Sequence, residues 1–380
     1  LAVNTWFRGI NLERLPENSR EILEGLLEDL RSRESVSGVG LFGSYSRGDS
    51  VLASDIDLLV VDKRDFDYEY VERAMLNNVF FDLDYVPEKW ILNQMAPEID
   101  HKLYEAKVLF DRKGIFTRAK NTIANMCWTP ERVEIRTGDY VMEADTYLSR
   151  GFSALNKDDF QSACVNATIA FDAIMKILID VNKQLFSNSH FVRVAESATK
   201  KLGVSHVYKD YLDIAVLNDV TRHKAENTLA SLSEMWNETI GYIEASSPLV
   251  ETLHIRVKNN LSYYCKESFL KGLQARAYSL IKDGQYTEAV HYMSRTSASM
   301  LENYVWLLSL LEGSRFDFTD LFLRLKNSKT SPEGVYQKAA EIFGVDGVSA
   351  QEVNDSLRRT KEIILDVRQK RKQLIAALLT

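Results

Sequence analysis

Residues 55–61 read Asp-Ile-Asp-Leu-Leu-Val-Val, and their two carboxylates are the clearest candidates for chemistry in the chain. The run has the branched aliphatic content and the length of a β-strand. On a strand, residues two apart face one side, so Asp55 and Asp57 project together while Ile56 and Leu58 turn the other way. Side-by-side carboxylates repel each other unless a cation lies between them. Oxygen-only ligands suit Mg2+, with Mn2+ as the alternative, and Mg2+ takes a few carboxylates together with waters and phosphates. Upstream, the apolar run at 39–42 ends in Gly43–Ser44, and Arg47, Gly48 and Asp49 follow. A glycine after a strand lets the backbone approach a ligand closely, and a serine opening the next helix offers a hydroxyl and free N–H groups to phosphate oxygens. Arg47 can add a charge-assisted contact to the same phosphates. Phosphate cradle, arginine and metal carboxylates together describe a site that moves a phosphoryl-linked group.

The elements that must hold these residues are legible around them. Ile22, Leu23, Leu26, Leu27 and Leu30 keep helical spacing over 18–33, with Asn18 or Ser19 as N-cap and Glu21 in the first turn. Strands are expected at 39–42 and 55–61. Residues 65–78 read as a helix, with Val71, Ala74 and Met75 in register. A third strand lies within 79–90, where Asp82 and Asp84 share a face, and a further strand at 107–111 runs into a turn at Gly114.

Gly43–Ser44, Arg47 and Ser54-Asp55-Ile56-Asp57, in that order, resemble the signature of the nucleotidyltransferase superfamily that includes DNA polymerase β. The similarity is greatest to its kanamycin-nucleotidyltransferase-like and minimal-nucleotidyltransferase branches. The resemblance implies an α+β domain over 1–115, a mixed sheet flanked by helices. It implies transfer of a nucleoside monophosphate from a nucleoside triphosphate such as ATP to an acceptor hydroxyl, with release of pyrophosphate (EC 2.7.7-type chemistry). Two Mg2+ ions would be held by Asp55, Asp57 and a third carboxylate from the strand within 79–90. Asp84 is preferred there over Asp82, because Asp84-Tyr85-Val86-Pro87 resembles the way that strand ends in relatives. Gly43 and Ser44 would hold the β- and γ-phosphates with Arg47. In kanamycin-type relatives a glutamate of the helical domain helps to deprotonate the acceptor; Glu143, with Asp139 and Asp145 nearby, is the candidate here.

Strand signals stop near Thr129-Pro130-Glu131, which has the order of a helix start. Residues 129–380 are expected to be all-α, eight to ten helices, with two related bundles at about 129–245 and 250–380. Residues 147–178 and 273–304 echo each other: each carries a helix ending in a polar turn, then an aromatic residue and an alanine (Phe160 with Ala163, Tyr286 with Ala289). Residues 349–379 read as one long helix with a basic run at Arg368, Lys370, Arg371 and Lys372.

Composition bounds the function. The 380 residues carry a net charge of −7 and a pI near 5.6, which argues against a broad basic nucleic-acid face and disfavours RNA as the acceptor. Three separated cysteines read as reduced thiols of a cytoplasmic protein. Six scattered histidines show no ligand spacing, and no apolar run of membrane-spanning length is evident. The acceptor could be a small molecule, an RNA end or a protein side chain, and a homodimer would suit the long C-terminal helix. The competing reading is a non-catalytic, nucleotide-sensing or toxin–antitoxin-type interaction protein built on a helical scaffold. The nuclease pattern of helical HEPN-type partners, an arginine followed four to six residues later by a histidine, is absent from the helical region.

Overall fold

Helix α1 (Glu17–Ser32) forms on the three-four spacing of its leucines and buries Leu23 and Leu30 completely. Strand β1 (Val36–Phe42), buried throughout, leads into the one-turn helix α2 (Gly43–Arg47). Then come β2 (Ile56–Asp62), β3 (Tyr70–Leu76), β4 (Val79–Pro87), α3 (Asp100–Glu105), β5 (Lys107–Asp111) and α4 (Ile115–Met126). The computed structural model describes residues 17–50 and 54–377. The sheet runs β3-β4-β2-β1-β5, with β2 and β4 parallel and the other pairs antiparallel.

Strand β2 is covered on both faces, which is why it reads as an almost unbroken apolar run. Ile56, Leu58 and Val60 pack in one core with Leu23 and Leu30 of α1. Leu59 and Val61 pack in the other with Leu103 of α3 and Phe116, Ala119 and Ile123 of α4. Because α4 closes that face, this unit runs past residue 115. It comprises the described residues to Arg132 together with Lys266–Gly272. Arg132 is tied in by two hydrogen bonds, each 2.6 Å, donated to the Asp100 carboxylate.

The helix expected over 65–78 is instead the edge strand β3. The spacing of Val71, Ala74 and Met75 fits a helix, but Asn77 and Asn78 both adopt positive φ (48° and 62°). They form the two-residue loop of a β3–β4 hairpin, the geometry that asparagine tolerates and that matches strand twist. The strand shows weak alternation because it lies at the sheet edge, where of its seven residues only Arg73 is buried.

The second unit holds Val133–Cys265 and the residues from Leu273 onward. Among the described residues after β5 no strand occurs. The helices are α5 (Pro130–Leu155), α6 (Phe160–Val181), α7 (Phe191–Lys201), α8 (Ser205–Ile214), α9 (Arg222–Ala245) and α10 (Ser247–Val250). They continue as α11 (Ile255–Tyr264), α12 (Glu267–Lys282), α13 (Tyr286–Leu311), α14 (Leu321–Asn327), α15 (Val335–Phe343) and α16 (Ala350–Ala377). Helix α6 packs on α16, and α9 on both α13 and α15, so early and late helices of the unit pack against one another.

The sequence echo has a geometric counterpart. Asp158 and Gly284 take the same left-handed conformation (φ 57° and 74°). The next residues, Asp159 and Gln285, donate their N–H groups to Ala154 and Leu280 carbonyls at 3.0 and 2.8 Å.

Helix α6 corrects the reading that no apolar run is long enough for a membrane. Its length and composition suffice, yet 83% of its most apolar window is buried inside the protein. There its polar residues are paired: Asp180 accepts from Arg136 at 2.9 and 3.1 Å, and Asp172 accepts from the Tyr211 hydroxyl at 2.8 Å.

Candidate active site

Strand register brings the candidate acids into one row. Asp57 lies opposite Phe42 on β1 and Asp82 on β4, and Asp82 lies opposite Arg73 on β3. Residues in such a row share a face of the sheet. Asp55 stands just ahead of β2, and one carboxylate oxygen from each of Asp55, Asp57 and Asp82 lies within 4.8 Å of the others. Three oxygen donors so close suit a divalent cation of the Mg2+ or Mn2+ kind. Arg73 joins them, its Nη1 donating to both Asp82 oxygens at 2.8 and 2.7 Å and to Asp55 Oδ2 at 3.2 Å.

The turn after β1 is fitted to this cluster. Gly43 has φ +70°, and a Cβ placed on it would stand 2.1 Å from Asp57 Oδ2. Only glycine satisfies both the left-handed backbone and the close approach. Ser44 Oγ is buried beside it and makes no hydrogen bond among the described residues, a donor of the kind a phosphate oxygen would satisfy. The Gly43 N–H donates to Glu105 Oε1 at 2.8 Å, and Arg47 Nη1 donates to Glu105 Oε2 at 2.8 Å. Arg47 Nε also reaches Asp49 at 3.3 Å. Burial works against the Arg47 charge, but Glu105 and Asp49 outweigh it and move its pKa upward.

Residues 23–123 match the family model of the nucleotidyltransferase domain. The N-terminal unit is a nucleotidyltransferase domain. The domain supports a general nucleotidyl-transfer activity, and its mixed sheet followed by a long helical region is the architecture the sequence implied. A solved structure, a nucleotidyltransferase-like protein from Exiguobacterium sibiricum 255-15, is similar at 15% identity over 70% of this chain and 78% of its own, with a TM-score of 0.32. No curated protein matches the chain.

Within the nucleotidyltransferase domain, Asp84 stands apart from the acid cluster. Period two does put Asp82 and Asp84 on one face, but the parallel pairing aligns Asp82 with Asp57 and Asp84 with Leu59. The geometry therefore groups Asp82, rather than the preferred Asp84, with Asp55 and Asp57. Asp84 accepts from Lys102 Nζ at 2.5 Å, and Lys102 also pairs with Glu69. Burial pushes the Asp84 carboxyl up to about 8, against the pull of the Lys102 ammonium. Glu143 belongs to the helical unit, where both its oxygens accept from Lys176 Nζ at 2.9 Å. The basic run of α16 is likewise engaged inside that unit: Arg368 pairs with Asp145, Lys370 with Asp366, and Lys372 with Glu134.

Three residues escaped the sequence reading: Arg73, Lys102 and Glu105. Arg73 was hidden by the helical reading of its strand, and the Asn77–Asn78 pair was the signal that would have exposed it. Lys102 and Glu105 lie on α3, six residues long and too short to show a period.

Proposed function

We propose that the chain transfers a nucleoside monophosphate from a nucleoside triphosphate to an acceptor hydroxyl. The acceptor hydroxyl gives up its proton to solvent, its oxygen attacks the α-phosphorus, the bond to the bridging oxygen breaks, and pyrophosphate leaves. The observation that carries this reading is the convergence of Asp55, Asp57 and Asp82 within 4.8 Å, next to a glycine turn that no other residue fits. Those carboxylates would hold a divalent cation, Mg2+ or Mn2+, which when bound polarises the phosphoryl oxygens and favours the acceptor alkoxide. Ser44 Oγ donates to the phosphates, which supplies the partner it lacks among the described residues. Arg47 stays cationic and turns toward the triphosphate when Glu105 releases it. The Gly43 N–H is freed by the same movement of Glu105, since one carboxylate holds both groups. Three cysteines outside any disulfide among the described residues suit a cytoplasmic setting.

One observation favours a second reading, a nucleotide-sensing interaction protein. Both the cradle N–H and the Arg47 guanidinium are occupied by Glu105, as a site that binds without turning over would tolerate. Incubation with each of the four α-32P-labelled nucleoside triphosphates, Mg2+ and separate small-molecule, RNA and protein acceptors distinguishes the two. Label transfer with equimolar pyrophosphate supports the enzyme. Saturable binding without pyrophosphate release supports the sensor and refutes the enzyme.

A further inference from the structure

Arg73 is built into the acid cluster rather than resting beside it. The hairpin register sets it opposite Asp82, and its side chain is only 3% exposed. Its guanidinium lies over the rings of Phe80 and Phe269, with centroids at 5.2 and 5.6 Å, and its Nε donates to the Ser268 carbonyl at 3.3 Å. Gly272 completes the fit, since a Cβ there would come within 2.3 Å of Arg73 Nη2. Two rings, a carbonyl and two carboxylates therefore fix the guanidinium, and arginine does not lose its proton in proteins. Both Asp82 oxygens are already accepting from this fixed cation.

A second divalent ion on Asp82 would have to share those oxygens with a permanent positive charge a few ångströms away. Among these four side chains, three carboxylates and one guanidinium leave two negative charges, so the protein balances one divalent ion and a second would be left to the triphosphate alone. We propose that Arg73 is a resident cation that stands in for one of the two metal ions, so that the nucleotidyltransferase site takes a single divalent ion. The inference rests on the metal reading above and revises the count that the superfamily resemblance implies.

The test is the number of Mn2+ ions bound by the full chain with a non-hydrolysable nucleoside triphosphate analogue. Electron paramagnetic resonance counts free ion, and the analogue alone serves as the blank. The wild-type chain is expected to hold one Mn2+ per chain in the ternary complex. Arg73→Gln, neutral and close in length, is expected to hold two, with the first bound about tenfold or more tightly because the cluster gains a full negative charge. Arg73→Lys, which keeps the charge, is expected to stay at one. A wild-type ratio of two overturns this inference alone, whether or not the variants fold. A folded Arg73→Gln that stays at one, with unchanged affinity, also overturns it. A wild-type ratio of zero overturns both this inference and the metal reading beneath it.

Discussion

Gly43→Ala tests the coupling between the glycine turn and the acid cluster. The backbone at Gly43 has φ +70°, so alanine there carries the left-handed penalty of about 1–2 kcal/mol. The new Cβ would lie 2.1 Å from Asp57 Oδ2, and such contacts open to at least 3.0 Å. Asp57 or the turn must therefore move by roughly 1 Å, a misplacement that can cost about 100-fold in rate. Gly203→Ala is the control, because Gly203 has the same φ of +70° with nothing among the described residues within 4 Å of its would-be Cβ. Both variants should lose a few degrees of melting temperature. Only Gly43→Ala should lose pyrophosphate release, by about two orders of magnitude, alongside weaker Mn2+ binding. A Gly43→Ala protein that melts like Gly203→Ala and turns over like the wild type would refute the steric coupling of turn and carboxylate.

Further outcomes follow from other residues. Ser44→Ala should leave the melting temperature level or slightly higher, since a buried hydroxyl with no partner among the described residues is removed. It should weaken triphosphate binding about 10- to 100-fold, the worth of one hydrogen bond to a charged group, as read by isothermal titration; unchanged binding would contradict the phosphate role. Phe116→Ala empties a fully buried site between α4 and the sheet and should destabilise the nucleotidyltransferase domain by about 3–5 kcal/mol in urea unfolding followed by hydrogen exchange. Burial pushes the Cys164 and Cys265 thiols up to about 12 from 9.0. At pH 8 their thiolate fraction is then about 1,000-fold below that of an exposed thiol, and disulfide reagents should modify them correspondingly slowly. Since both bind their protons more tightly folded than unfolded, their contribution to stability is whole below pH 9 and is lost as pH rises toward 12. Fast native-state labelling of either thiol would contradict the packing.

Much of the nucleotidyltransferase fold could be read from local pattern. Strand β2 declared itself because both faces are buried, and α1 because one face is. Gly43 was legible because its close approach demands glycine, and Asp55 and Asp57 because they flank Ile56 at the start of the apolar run that forms β2. Which β4 acid lies beside them was not, because Asp82 and Asp84 are equivalent within β4 and only the parallel register with β2 separates them. Register is a long-range property, and no window of sequence contains it. Arg73 was lost for a related reason: an edge strand with one solvated face carries a weak alternation that a helical spacing can mimic. The partners of Arg47 and Glu143 are also tertiary, since Glu105 and Lys176 meet them across dozens of intervening residues.

Asp55, Asp57 and Asp82 are proposed above as the metal ligands of a triphosphate site. Anomalous diffraction from crystals of the full chain, grown with Mn2+ and a non-hydrolysable nucleoside triphosphate analogue, tests it most directly. A manganese peak is expected within about 2.0–2.3 Å of oxygens from those three aspartates, bridged to phosphate, with the phosphates against Ser44. A peak on Asp84 in place of Asp82, or ordered triphosphate with no manganese at the cluster, would contradict it.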